Sequence, residues 1–320
     1  MISTPNKSVE LRGWVRDLAA RLAKDVLSYE KGTVRGADIE DLHRMRSRIN
    51  RLRRAVSLLG EAGRLRAREE WGKELRWLAA TLGPVRDLDV MIEQTKALSR
   101  KGPRRLAKAG VAFAVRSLAR RRETERGALR KAFRSKGWKA LKKRLDRLAK
   151  KDARLWESAR GVQAAGAAAP ASPIRLFASV IAPCLAKFGE RRRAALDDTS
   201  PRRLHRLRLA GKQVRYALEF FSPFLGKEGA RHVAFLTRMQ DCLGEIHDLE
   251  SLDGQLKSLR LSLLLSPKRK DAPRLPGVLR LIQMGRKRRV ALHREFETLW
   301  PGLHPPGGVI EQIENLAAKA

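Results

Sequence analysis

The sequence predicts an all-α protein made of two related helical bundles, and three observations carry that prediction. Apolar residues recur at helical spacing along most of the 320 residues, while strand-like alternation is almost absent. A basic helix is written twice: Leu42-His43-Arg44-Met45-Arg46 returns as Leu204-His205-Arg206-Leu207-Arg208, 162 positions on. Within it, Asn50, Arg51 and Arg53 fall opposite Lys212, Gln213 and Arg215. A second block, Leu82-Gly83-Pro84-Val85-Arg86-Asp87-Leu88-Asp89, returns 161 positions on as Leu243-Gly244-Glu245-Ile246-His247-Asp248-Leu249-Glu250. A third, Ala128-Leu129…Phe133…Trp138, meets Ala291-Leu292…Phe296…Trp300. A nearly constant offset over so long a stretch implies two structurally equivalent halves.

The first half is expected over residues 1–160. An amphipathic helix from Val9 to Ser28 carries Leu11, Val15, Leu18, Leu22 and Val26, and Gly32 and Gly36 break it. Asp38 is placed as the N-cap of the first His/Arg helix, which runs to Leu59. Trp71 to Leu82 follows, stopped by Gly83-Pro84, and a new helix starts at Val85. Pro103 to Phe133 reads as a long basic helix or helix pair, and Gly137 interrupts before Trp138 to Trp156. Residues 161–173 (GVQAAGAAAPASP) read as a linker, with small residues, two prolines and no charge.

The second half, 174–300, replays the order. Ile174 to Leu196 opens it and Asp197 to Pro201 ends that helix. The second His/Arg helix runs to Phe221, with Ser222-Pro223 as its stop. Glu228 to Leu243 and Ile246 to Leu264 come next, then a Pro- and Lys-rich loop, Ser266 to Gly277, and a final helix from Val278 to Trp300. Each half therefore holds four to five helices. Residues 301–320 are expected to form a mobile C-terminal tail.

Charge sets the function class. Lys and Arg number 70 against 34 Asp and Glu, a formal net charge of +36. Self-repulsion on that scale works against compaction and is relieved by a polyanion: nucleic acid, an anionic surface or a condensed phosphate. Cys184 and Cys242, the two cysteines, make neither a disulfide framework nor a zinc site, which fits a reducing compartment. No apolar signal segment opens the chain and no stretch suits a bilayer span, so a cytoplasmic location is expected.

At about 100° per residue, Leu42, Met45, Ile49, Leu52, Val56 and Leu59 form one apolar arc of the first His/Arg helix. His43, Arg46, Asn50, Arg53 and Arg54 form a second arc directly beside it. In the other half, Leu204, Leu207, Val214, Leu218 and Phe221 are flanked by His205, Arg208, Lys212 and Arg215. This spacing sets one donor per turn, about 5 Å apart along a line. A solvated basic face would lie opposite the core. Here the cations crowd its margin, which is costly unless an anion neutralises them. Arg suits phosphate oxygens with its planar fork, Lys as a point charge, and His when protonated, a state that a nearby phosphate would favour.

The blocks LHRMRSRINRLRRAVSLL, LRWLAATLGPVRDLDVM, LHRLRLAGKQVRYALEFF and LTRMQDCLGEIHDLE resemble the CHAD family, the conserved histidine α-helical domain, from about Val9 to Trp300. The resemblance implies two related four-helix bundles about a pseudo-two-fold axis, with inorganic polyphosphate bound in a basic cleft or pore between them. It places His43, Arg46, Arg51, Arg53, His205, Arg208, Lys212 and Arg215 on that surface. Asn50 and Gln213 stand where the family pattern has basic residues; each can still donate to a phosphate but weakens the local field. Arg86-Asp87 and His247-Asp248 follow the two Leu-Gly elements. The aspartates either cap helix starts and pair with Arg or His, or orient the Arg and His of the stripes.

Neither turnover nor a cofactor or metal is expected. The strings nearest to an E-x-E-x-K strand, at Glu123 and at Glu295, lack the Lys and lie in helical segments, and no phosphate-loop, zinc-protease or serine-hydrolase motif is present. Glu219 is the one carboxylate near the stripes. The favoured partner is polyphosphate, with association to polyphosphate granules as a corollary. Sequence-independent nucleic-acid binding is the weaker alternative: the stripes lack base-reading side chains and no stacking platform is apparent.

Overall fold

The computed structural model describes residues 11–61, 68–100, 104–155, 173–303 and 307–318, and among them every regular element is helical. Trp156 and the expected linker up to residue 172 lie outside the described residues. The long helices are α1 (Leu11–Ser28), α3 (Ile39–Glu61), α4 (Arg68–Arg100), α5 (Arg104–Arg134) and α6 (Lys136–Ala149), with a short α2 (Glu30–Arg35) between the first two. Beyond the linker come α7 (Pro173–Asp197), α8 (Pro201–Leu264), α9 (Leu275–Leu299) and α10 (Val309–Ala318). Among the described residues no helix is long and apolar enough to cross a membrane.

Local chemistry sets several boundaries where they were expected. Gly36 takes φ 68 and closes α2, its N–H donating to the Gly32 carbonyl at 2.7 Å. Asp38 accepts from the Glu40 N–H at 2.9 Å as α3 begins. Ser135 caps α6 by accepting from the Trp138 N–H at 3.1 Å, so the break expected at Gly137 falls two residues earlier and Gly137 lies inside the helix.

Three expected breaks are absent. Gly83-Pro84 does not end a helix, because α4 runs through it. Leu75, Leu78, Leu82, Val85 and Leu88 are buried in unbroken helical register across the proline. Their burial, about 1.5–3 kcal/mol each, outweighs the roughly 3 kcal/mol that an interior proline costs. Likewise α8 passes Pro223 and breaks three residues later at Gly226, whose φ 58, ψ −148 is open to glycine. The arm 227–264 then continues through Leu243-Gly244 without interruption. The expected loop after Ser266 contains a short 3₁₀ turn, Arg269–Arg274.

α1 packs on α3, α3 on α4, α4 on α5, and α6 returns to α1; α7 packs on α8, α8 on α9, and α10 returns to α7. The tail is therefore not loose: Leu303, Val309 and Ile313 are buried, and the apolar face of α10 anchors it on α7. The halves share one core, since α5 meets α9 and α3 and α4 meet α8. Trp14 of α1 packs edge-on against Phe220 of α8 at 4.6 Å.

The α5–α9 crossing is close enough to demand glycine. A Cβ on Gly110 would collide with the Arg274 carbonyl and fall 2.6 Å from the Gly277 Cα, whereas one on Gly127 of the same helix meets nothing within 4 Å. Gly110→Ala should lose about 1–3 kcal/mol of stability in urea unfolding. Gly127→Ala should gain about 0.5–1 kcal/mol. Equal effects at the two positions would contradict the packing described.

Candidate functional site

The apolar arcs of α3 and α8 bury Leu42, Met45, Ile49 and Leu52 on one helix and Leu204, Leu207, Val214 and Leu218 on the other. The neighbouring arcs are thereby carried to the seam between the two helices. Lys212 registers the result: burial first, then the guanidiniums of Arg208, Arg46, Arg215 and Arg53, pull its pKa down to about 8. Two of those guanidiniums come from α3 and two from α8.

The seam opens into a cavity of about 680 Å³ lined by Asn50, Arg53, Arg54, Lys212 and Gln213. α4 supplies its outer wall through Glu69, Lys73 and Arg76, and Arg76 adds to the burial that lowers the pKa of Arg53. Lys73 and Arg76 were not among the residues the sequence reading singled out. Their signal is the i, i+4, i+7 spacing of Glu69, Lys73 and Arg76, interleaved with buried Trp71, Leu75 and Leu78.

Specific contacts hold the cations in place. Arg46 donates to the Gly83 carbonyl at 3.2 Å and pairs with Asp87 at 3.1 Å. Arg208 crosses the equivalent glycine: a Cβ on Gly244 would lie 3.3 Å from its Nε. The Leu-Gly elements thus give each stripe arginine a helix surface low enough to lie across. Arg215 donates Nε to Gln240 at 2.9 Å and Nη1 to Glu219 at 2.7 Å. Arg51, off the main arc on the wheel, reaches Glu219 from α3 at 3.3 Å. Arg54 donates to the Cys184 sulfur at 2.9 Å. Lys212 and Arg215 both lie against the Tyr216 ring, with Nζ and Cζ 5.4 and 5.1 Å from its centre. Tyr216 and Gln240 are further site residues not anticipated from the sequence. Both sit at core-edge positions that spacing alone does not distinguish from packing.

The helix-cap reading of Asp87 and Asp248 is corrected. Both lie inside long helices, because α4 and α8 do not break at the Leu-Gly elements. Asp87 positions Arg46, and as a well-exposed partner contributes at most about 1 kcal/mol. Asp248 is more enclosed: burial raises its pKa, opposed first by Arg208, with Asp87 adding to the rise and Arg86 and Arg46 opposing it.

The imidazoles gather at this same end. The rings of His205 and His247 stack at 4.1 Å, and the His205 Nδ1 is buried without a hydrogen-bond partner. Burial lowers the pKa of both, reinforced for His205 by His247 and Arg208 and for His247 by Arg208. Burial and then Arg86 lower that of His43. In all three, burial favours the neutral ring in the free protein, and a bound anion would favour protonation.

Lys212 supplies a pH test. Below pH 8 it carries its proton in the free protein; above, it does not, and a polyanion restores it by raising the pKa. Affinity for a polyanion should therefore fall as pH rises from 7.5 to 9.5, with net proton uptake on binding. Lys212→Arg, charged throughout, should flatten that dependence in calorimetric titrations. A slope identical to wild type would remove Lys212 from the ligand's reach.

The fold has solved relatives. The structure superposes on the crystal structure of the CHAD domain from the plant Ricinus communis with a TM-score of 0.68 and 21% identity, over 96% of each chain. It superposes on PptA from Streptomyces chartreusis with a TM-score of 0.63 and 16% identity, over 90% of this chain and 98% of that one. At such identities the likeness concerns the fold. A search of curated proteins returns no match. The CHAD domain profile matches residues 17–257, three quarters of the chain and both stripes, and the protein belongs to the CHAD domain family.

Proposed function

We propose that this protein binds inorganic polyphosphate along the α3–α8 seam, without turnover, through His43, Arg46, Asn50, Arg51, Arg53, Arg54, His205, Arg208, Lys212 and Arg215. Family membership supports a polyphosphate-related role. The observation that carries the finer reading is the convergence of four guanidiniums on half-buried Lys212. A condensed phosphate supplies a negative charge at each unit of a thin, flexible chain, and so can enter a seam between two helices. A nucleic-acid duplex presents its phosphates on the outside of a thick rod and would reach only the rim. The residues around the seam act by holding donors in place before the ligand arrives, which lowers the ordering cost of binding. Where polyphosphate is stored as granules, the same contacts would tether the protein to them.

The test is a competition titration at near-physiological salt. Labelled long-chain polyphosphate is bound to wild type and to the His43→Ala/Arg46→Ala/His205→Ala/Arg208→Ala variant, then challenged with duplex DNA at equal phosphate concentration. Each charge-assisted contact is worth about 1.5–3 kcal/mol, so losing both arginines should weaken binding by about 100-fold or more. Wild type should resist DNA and release no orthophosphate. Free displacement by DNA, together with a variant that binds as wild type does, would mark a general polycation instead.

A further inference from the structure

Glu219 reaches across the seam. It stands one turn beyond Arg215 on α8, its side chain 21% exposed. One oxygen accepts from Arg215 Nη1 at 2.7 Å, and the other lies 3.3 Å from Arg51 Nη2 of α3. The carboxylate therefore occupies the place between two arginines where an anionic ligand would be held.

It fills that place incompletely. Arg51 Nε, Arg54 Nε and Gln240 Nε2 are buried and make no hydrogen bond among the described residues. Gln240 spends its carbonyl on Arg215 and leaves its amide without an acceptor. Two carboxylate oxygens serve a slot with more donors than they satisfy; a phosphate brings more oxygens and more charge. Beside Glu219 lies a second cavity, of about 650 Å³, lined in part by Arg21, Lys24 and Arg48. It offers the displaced side chain space and the cations Arg21 and Lys24, while Arg48 is already paired with Asp25 of the same cavity at 3.1 Å.

We propose that Glu219 is an internal competitor: it fills the Arg51–Arg215 slot in the free protein, and a ligand must displace it, which restricts the slot to chains of several phosphates. The inference rests on the polyphosphate reading above and supplies its length selectivity. Displacing a carboxylate from two arginines has a cost that is fixed per binding event. Compensating contacts, with Arg53, Lys212, Arg46 and Arg208, accumulate only as the chain lengthens. Orthophosphate and nucleoside triphosphates are too short to gather them. Without the competitor, so basic a cleft would be open to every small phosphate in its surroundings.

The experiment titrates tripolyphosphate and long-chain polyphosphate into wild type and Glu219→Gln, with melting temperatures recorded for each. Glu219→Gln should bind tripolyphosphate at least tenfold more tightly, and adding Arg51→Met should abolish the gain. Glu219→Asp, which keeps the charge but withdraws it from Arg51, should give a smaller gain of the same sign. Unchanged or weaker tripolyphosphate binding by these variants in folded form would overturn the proposal. Should long chains bind at the stripes while Glu219→Gln gains nothing, the competitor alone is wrong. Should no chain of any length bind, the reading of the cleft falls with it.

Discussion

Like charge pressed against like charge at a half-buried seam is the constraint on which the rest of this structure depends. Burial first, and then Arg208 and Arg215 of α8 with Arg46 and Arg53 of α3, depress the pKa of Lys212 to about 8. No folded chain gains stability from such an arrangement by itself. It persists because the adjacent arcs bury leucine, isoleucine, methionine and valine completely, each side chain contributing about 1.5–3 kcal/mol. The apolar arcs thus force together what electrostatics would separate, and the repulsion stored there is what a polyanion can relieve.

The surrounding contacts make the cations point usefully. Asp87 and the Gly83 carbonyl hold Arg46, Gln240 and Glu219 hold Arg215, and the Cys184 sulfur accepts a hydrogen bond from Arg54. These contacts fix direction, and the two carboxylates among them, Asp87 and Glu219, offset only part of the local positive charge. Glycine contributes by absence, since Gly83 and Gly244 let the arginine of each stripe lie across the neighbouring helix. The two halves meet over one core, so the seam is held from both sides rather than by a flexible junction.

Most of this was legible in the sequence where a periodic signal existed. The helical class, the basic stripes and their place beside the apolar arcs follow from residue spacing. Misjudged were positions where local rules met a stronger tertiary force. Pro84 and Pro223 looked like stops, but continuous burial carries α4 and α8 past them. Because α4 and α8 also run unbroken through their Leu-Gly elements, Asp87 and Asp248 cease to be cap residues. The tail looked mobile because its prolines and glycines outweigh one short apolar pattern, yet Val309 and Ile313 are enough to dock α10. Tyr216, Gln240, Lys73 and Arg76 joined the site only through folding, because each comes from a helix turn or a different helix whose approach no single wheel displays.

The most direct measurement is the melting temperature of Lys212→Met with and without long-chain polyphosphate at pH 7. If the seam holds repulsion that the ligand relieves, the variant melts above wild type when free and gains less from polyphosphate, so that the two curves converge when bound. A variant that melts lower when free and keeps the full ligand-induced shift would show that Lys212 is neither strained nor engaged, and the account of the seam would fail.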